Sequence, residues 1–545
     1  VPRHPISFLL LCLAIGVVYL GGLGNFPLTE RSEARYAGVS WEMLRTGDYL
    51  TPRYNGIKHF HKPPLFYWLT AGSMRLFGDS EGAARLPCAL AALATLAGVG
   101  WLARRPDILP SQSRPWVAVA CLATSPFFWE MGRIAVTDML VTALVVGALA
   151  SAWSILQDGP GWRNLALFWA SLGLNFLNKG PVGPLIVALA LCPYLFWRSR
   201  RSWRAFAPLP GMALALAIGL PWYLWVVAEN SGLFAYFLKF QTADRVFSNV
   251  HRRDGPIWFY LPVILGGFLP WTCWLPTALK ESWKKAREPK GQEANPDLFL
   301  LGWLIVPTIF FSLIGSKLPP YVLPLFPALA LLVARHLASL TLAKLASPVA
   351  VLGIAGVACA AQLQWGLIAK LTTFSTQLGW AAGWLLLTAL VGAGMAYRRR
   401  ESALLVVLTV AMLGLLSIAI SAFGKLSYLS AQPMCQAMRR QASGPFEVAM
   451  YGSYLFGLPY YLGQNITHVQ YPREVQFETD LAYRRRIYDD LSSFLPTFHK
   501  GDQHRFLIVP RAALSDVQSQ TKEPVVFIDH RFAVLFHAAE PGTAP

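Results

Sequence analysis

Apolar runs with almost no charge recur along this chain, separated by short polar loops. Thirteen of them stand out, near residues 6–24, 84–103, 115–129, 139–157, 163–178, 181–197, 206–228, 257–279, 298–314, 320–338, 347–369, 376–396 and 402–422. A helix crosses a bilayer with about 20 mostly apolar residues, so the pattern predicts a polytopic α-helical membrane protein with about thirteen transmembrane helices. Pro63–Phe77 is shorter and follows Lys62 directly; it is expected to lie at the membrane surface. Lys and Arg recur in alternate loops: Arg104, Arg105 and Arg114; Arg163; Arg198, Arg200, Arg201 and Arg204; Lys280, Lys284, Lys285, Arg287 and Lys290; Arg335 and Lys344; Arg398, Arg399 and Arg400. Such loops stay in the cytoplasm. With thirteen spans they share one side, the N-terminus lies inside and the C-terminus outside; a fourteenth span would break the alternation.

Three long segments then fall outside: Gly24–Ala83, Glu229–Pro256 and Gly424–Pro545. The expected organisation is a transmembrane domain over 1–423, with 24–83 as an outer loop carrying surface helices, and an outer domain over 424–545. The last segment mixes strand-like stretches, Phe506–Val509 and Val525–Ile528, with a helical one, Asp480–Ser493, and reads as a small α/β domain. Asn465-Ile-Thr467 matches a glycosylation acceptor triplet, a pattern common by chance.

Composition narrows the class. Charged residues make up 14% of the chain and mean hydropathy is +0.42, against about 25% charged in soluble domains. This excludes an ordinary soluble enzyme and a disordered chain. The net charge of +18 follows from the basic inner loops, and no nucleic-acid-binding motif accompanies it. Six of the seven cysteines sit in apolar runs and Cys435 in the polar C-terminal part, with no disulfide framework or zinc spacing. The first apolar run lacks a small-residue cleavage site and is expected to be a retained anchor.

Candidate chemistry gathers at the outer ends of the runs. The first loop carries Glu30-Arg31-Ser32-Glu33-Ala34-Arg35-Tyr36, in which Ser32 is placed to cap a helix and Glu33 to sit in its first turn. His59-Phe60-His61-Lys62-Pro63-Pro64 follows; a lysine before prolines is restricted in direction, and its position suits either a lipid phosphate or snorkelling to headgroups. Asp138 stands at the start of a span, where acidic residues are costly; its alternatives are a functional carboxylate and an interfacial cap. Asn178-Lys179-Gly180-Pro181 makes a tight outer turn with Lys179 as a phosphate candidate. His251-Arg252-Arg253 forms a basic cluster on the charge-poor side, and Arg forks suit phosphate. Lys317-Leu318-Pro319-Pro320-Tyr321 opens another outer mouth. His59, His61 and His251 are the candidate ligands if a divalent metal takes part, but no pair has a recognised spacing, so no metal ligand is assigned.

Taken in order, Glu33-Ala-Arg35-Tyr36, His61-Lys62-Pro63-Pro64, Thr137-Asp138, Asn178-Lys179-Gly180-Pro181-Val182-Gly183 and Lys317 through Pro324 resemble the bacterial 4-amino-4-deoxy-L-arabinose transferases and the wider dolichyl-phosphate-mannose protein mannosyltransferase family, of the GT-C membrane glycosyltransferase fold. The resemblance runs from Gly24 to about Phe423. It implies a bacterial inner-membrane enzyme with a periplasmic C-terminal domain, taking a sugar from a polyprenyl-phosphate donor and passing it to a lipid A phosphate among membrane lipids. Carried over, Lys62 corresponds to the carrier-phosphate lysine, Arg252 or Arg253 to a second phosphate ligand, Asp138 and Glu33 to the catalytic carboxylates and Tyr321 to a tyrosine at the site's mouth; Lys179, Lys317, Arg35 and Tyr36 join the substrate-binding set. Two positions depart from the pattern: Ser32 stands where the family usually has Asp, and His61 where Glu is frequent. Glu30 is the one nearby carboxylate that could stand in. Transfer to protein hydroxyls, a lipid-linked-sugar transporter and an inactive sensor are the competing readings. The spans hold few acids and no internal repeat is evident, unlike most transporters.

Reporter fusions after Arg105, Arg201, Lys290 and Arg400 are expected to report cytoplasm in every case. A periplasmic signal at any two contradicts the charge-based topology.

Overall fold

The computed structural model describes residues 5–30, 32–110, 113–198, 202–238, 255–288, 295–337, 346–398, 400–442, 444–470, 486–500 and 502–540. They form two compact units: Val1–Leu23 with Arg85–Ala422, and Gly24–Ala84 with Phe423–Pro545.

The first unit is helical. Its leading elements are α1 (Pro5–Leu20), α4 (Glu81–Ala103), α5 (Pro115–Ala123), α6 (Pro126–Met131), α7 (Thr137–Asp158), α8 (Trp162–Lys179) and α9 (Val182–Arg198); the second unit contributes α2 (Glu33–Thr46) and α3 (Leu65–Phe77). All thirteen apolar runs fall on helical elements. Among the described residues, seven helices are long and apolar enough to cross a membrane, or nine if two bent pairs each count as one span. The bends have local causes. Pro221 lets Pro208–Gly219 and Pro221–Glu229 meet at 46°, and Pro270 interrupts Tyr260–Gly267 and Trp271–Arg287, which cross at 110°. The run 115–129 is likewise divided, between α5 and α6, at Ser125-Pro126.

Inside the first unit α7 packs against α8 and α9. Trp153 of α7 is fully buried, 5.5 Å from the Tyr194 ring and 4.8 Å from that of Phe299. Polar groups at this depth need internal partners. The last carbonyls of α1 receive them from Arg133, whose Nη1 donates to Val18 O at 2.8 Å and Tyr19 O at 3.2 Å.

The second unit holds a six-stranded sheet in the order β5-β4-β3-β6-β8-β7, with β3 Phe446–Tyr451, β4 Thr467–Val469, β5 Ile487–Tyr488, β6 His504–Pro510, β7 Val525–Ile528 and β8 Phe532–His537. The first four in that order run parallel, and β8 is antiparallel to both its neighbours, β6 and β7. Alternation places Val448 and Met450 on one face with Met434, Met438 and Leu458, and Ala449 on the other with Phe494, Phe498 and Val517. The strands expected at 506–509 and 525–528 are present. The helix expected over Asp480–Ser493 is corrected: residues 480–485 lie outside the described residues, Ile487–Tyr488 is a strand, and the helix spans Leu491–Phe498. Asp490 sets its start, because the carboxylate accepts from Ser493 N at 2.7 Å as an N-cap.

A hairpin, β1 (Arg53–Tyr54) and β2 (Ile57–Lys58), also belongs to this unit. Its turn is Asn55-Gly56, both at positive φ (55° and 81°), as a two-residue hairpin loop requires. The Asn55 side chain acts as a piece of strand: Oδ1 accepts from Ile466 N at 2.8 Å and Nδ2 donates to Ile466 O at 3.1 Å. Gly56 N donates to the Glu42 carboxylate at 2.8 Å. Asn55→Ala removes both bonds, strands two buried backbone groups and puts a Cβ-only residue in the left-handed region. A loss of about 2–4 kcal/mol is expected, read as a lowered melting temperature of the purified protein.

Candidate functional site

In the first unit the structure brings three of the candidate residues together. Asp138 lies in the first turn of α7, where the free amides of a helix start favour an anion. Lys179 ends α8, and Gly180 at φ 69° turns the chain into α9. Because α7 and α8 are antiparallel neighbours, the start of one meets the end of the other: Lys179 Nζ is 2.5 Å from Asp138 Oδ1. Both side chains are largely buried, so the pair is screened far less than an exposed one. Asn178 Nδ2 donates to Thr137 O at 3.2 Å and fixes the same junction. Tyr321 supplies a third wall, with Lys179 Nζ 5.4 Å from its ring centre. Tyr321 sits in a proline-rich 3-10 turn, Pro319–Leu325, anchored by Trp303 Nε1 on Pro324 O at 2.9 Å. Lys317 is buried and donates to Ile314 O at 2.9 Å, closing the loop that carries Tyr321. It is not the outward-facing cation that the sequence suggested, because its head is held by that carbonyl.

In the second unit the capping expectation is corrected. Ser32 precedes α2 but its side chain makes no capping bond. Glu33, fully buried, instead ties the helix start back to the preceding chain: Oε2 accepts from Thr29 N at 3.1 Å and Thr29 Oγ1 at 3.0 Å. Tyr36 is buried edge-on against Phe66 at 5.5 Å and near Tyr67 at 5.8 Å, which locks α2 to α3. Arg35 points elsewhere, its guanidinium 5.4 Å over Tyr36 and 5.5 Å over Phe456. Lys62 is half-buried and acts electrostatically, with Arg35, on His59. His59 is itself buried, its ring centre 4.2 Å from that of His61 and tilted by 31°, with neither ring nitrogen hydrogen-bonded. Burial, with Arg35 and Lys62 adding to it, lowers its pKa to about 3, so the imidazole is neutral. The segment around Lys62 thus concentrates positive charge beside an uncharged ring.

Glu30, the stand-in carboxylate, is turned away to the amide of Gly457, where Oε1 accepts at 3.0 Å. Arg252, Arg253 and His251 lie outside the described residues. Among the described residues no group of three or more His, Cys, Asp or Glu could hold a metal ion. Asn55 and Glu30 are the residues whose roles sequence reasoning missed. The Asn55-Gly56 dipeptide was a legible hairpin signal, whereas nothing local ties Glu30 to Gly457, 427 residues away.

Membrane-length helices, a helical first loop grouped with a C-terminal α/β sheet, and a charged pair where two antiparallel helices meet make up the fold. Residues 61–225 match the model of the dolichyl-phosphate-mannose-protein mannosyltransferase family. The chain is similar to the undecaprenyl phosphate-alpha-4-amino-4-deoxy-L-arabinose arabinosyl transferase of Edwardsiella ictaluri, at 34% identity over 331 residues, 59% of this chain and 58% of that protein. The enzyme of the same name from Erwinia tasmaniensis is 32% identical over 335 residues, 60% of this chain and 59% of its own length. The matched stretch therefore spans less than two thirds of either relative. The crystal structure of ArnT from Cupriavidus metallidurans bound to undecaprenyl phosphate shares the fold, with TM-score 0.83 and 24% identity over 99% of both chains.

The neutral His59 has a consequence for stability. An unfolded histidine takes up a proton below about pH 6.5, whereas the folded one stays neutral to about pH 3. Its contribution is present above pH 6.5 and is lost as the solution is acidified, at up to about 1.4 kcal/mol per pH unit. His468, also lowered to about 3 by burial, adds in the same sense. The melting temperature should fall from pH 6.5 to pH 4, and less steeply in His59→Phe. Equal slopes for the two proteins contradict a buried neutral His59.

Proposed function

We propose that this chain transfers 4-amino-4-deoxy-L-arabinose from a polyprenyl-phosphate carrier to a phosphate of lipid A at the outer face of the bacterial inner membrane. The observation that carries the reading is the 34% identity over 331 residues to an arabinosyl transferase of that specificity. The accompanying topology has thirteen spans, the N-terminus inside, α3 at the outer surface and the C-terminal domain, 424–545, in the periplasm.

In the reaction the bond from the sugar's anomeric carbon to the carrier phosphate oxygen breaks, and a bond to an acceptor phosphate oxygen forms. Negative charge grows on the departing carrier phosphate. Lys62, with Arg252 or Arg253, takes that charge; cations placed there stabilise the transition state more than the bound donor. Asp138 is the principal carboxylate. Its pairing with Lys179 keeps it aimed, so that it faces the positive charge that develops on the sugar, or the sugar's ammonium. Glu33 supports by holding the start of α2, which carries Arg35 and Tyr36, and Tyr321 lines the mouth.

The acceptor assignment follows from proton chemistry. A hydroxyl acceptor must lose a proton during attack, and general-base help contributes roughly 10²–10⁴-fold. A phosphate monoester is already ionised near neutral pH, since its second pKa is about 6. A first loop with Ser32 in place of a carboxylate is therefore better matched to an anionic acceptor than to a protein hydroxyl.

Lys62→Ala is expected to lower transfer from a defined undecaprenyl-phosphate donor on the order of 10²-fold. Asp138→Asn should lower it at least as far while the protein still folds and binds the carrier. Full activity in either variant contradicts the role given to that residue.

A further inference from the structure

Open α/β sheets receive ligands at the carboxyl ends of their strands, where successive connections leave for opposite faces. Here that change of side falls at β3 and β6: the helix after β3, Gly457–Leu462, packs on one face, and the helix after β6, Leu514–Thr521, on the other. The loop that follows β3, Gly452–Phe456, is already occupied by the chain's own first loop. Tyr54 stands 5.6 Å from the Tyr454 ring and 5.2 Å from that of Phe456, and its hydroxyl donates to the Phe456 carbonyl. The Glu30 carboxylate accepts from Gly457 N at 3.0 Å, and Glu30 N donates to Leu429 O at 3.0 Å. A Cβ at Gly457 would come within 2.5 Å of Glu30 Oε1, so a side chain there would push the carboxylate off its amide. Leu28 N donates to Tyr461 Oη at 2.6 Å, and the Phe456 ring lies under Arg35.

These contacts bracket the functional stretch of the first loop. Glu30 holds it just ahead of Glu33 and Arg35, Phe456 supports Arg35 itself, and Tyr54 with Asn55 hold it just ahead of Lys62. We propose that the loop after β3 is the positioning element of the donor-phosphate site, with Glu30 and Phe456 as positioning residues that set Arg35 and Lys62. This rests on the transfer reading given above. It also assigns Glu30 to holding the loop and not to the missing carboxylate function.

The surroundings of Glu30 agree. Among the described residues, Arg531 from the β7–β8 turn and Cys435 from helix Gln432–Gln441 interact electrostatically with it, and Tyr461 from helix Gly457–Leu462, which takes the nearby Leu28 amide, donates in turn to Glu81 at 3.3 Å. Burial raises its carboxyl to about 7, against the pull of the Gly457, Phe456 and Ala431 amides and Arg531. Its share of stability is present at low pH and is lost as pH rises through about 7, where the buried group must ionise. Glutamine, a neutral isostere that still accepts from Gly457 N, should therefore replace it.

The test compares full-length wild type, Glu30→Gln, Glu30→Ala, Phe456→Leu and Phe456→Tyr in proteoliposomes. It measures the Kd for undecaprenyl phosphate from pH 6 to 8.5, transfer kinetics at pH 6, and melting temperature. Glu30→Ala and Phe456→Leu should stay folded and bind the carrier about tenfold more weakly. Glu30→Gln and Phe456→Tyr should bind and turn over within about twofold of wild type at pH 6. Wild-type affinity should weaken above pH 7, and that of Glu30→Gln should not. The proposal is overturned if Glu30→Gln is as inactive as Asp138→Asn, which would make Glu30 the catalytic carboxylate. It is also overturned if Glu30→Ala and Phe456→Leu, still folded, bind the carrier like wild type. A wild type that binds carrier but transfers no sugar fails the transfer reading and leaves the binding comparison to decide the positioning role.

Discussion

The ion pair between Asp138 and Lys179 is the interaction on which the candidate chemistry of the helical unit turns. A carboxylate at the head of an apolar helix is costly unless a counter-charge meets it. Here the antiparallel packing of α7 on α8 supplies one at 2.5 Å. The α8–α9 turn at Gly180 and the Asn178 bond to Thr137 keep Lys179 in place, and Tyr321 covers its far side. Removing Lys179 would take away the counter-charge of a largely buried carboxylate.

The second unit meets the desolvation problem by satisfying backbone groups with side chains of the first loop. Asn55 completes the backbone bonds of Ile466, Glu42 takes the amide of Gly56 and Glu30 that of Gly457. An α/β sheet with a strand-end loop of this kind usually awaits a small ligand. In this chain the loop is closed by Tyr54, which packs on Tyr454 and Phe456.

Much of this was legible along the sequence. The apolar runs fall on helices because hydrophobic length is a one-dimensional property. Asp138, Lys179 and Tyr321 were each marked as outer-mouth residues by Pro, Gly and charge, though their meeting needed the packing of three elements. The α/β character of the last segment showed in its alternating strands, but the helix boundary at Asp490 did not, since the preceding Ile487–Tyr488 pairs in parallel with β4. What was illegible depends on distance along the chain. Ser32 looked like the cap of α2, yet its side chain makes no capping bond. Lys317 looked like a surface cation, yet a carbonyl three residues earlier holds it. Glu30 looked like a spare catalytic carboxylate, yet its partner lies 427 residues on.

The acceptor and the sugar are both read in one comparison. Mass spectrometry of lipid A and of periplasmic proteins, from cells with and without this protein, should show an aminoarabinose increment on lipid A phosphate only when the protein is present. A sugar that appears on protein alone, with lipid A unchanged, would contradict the account.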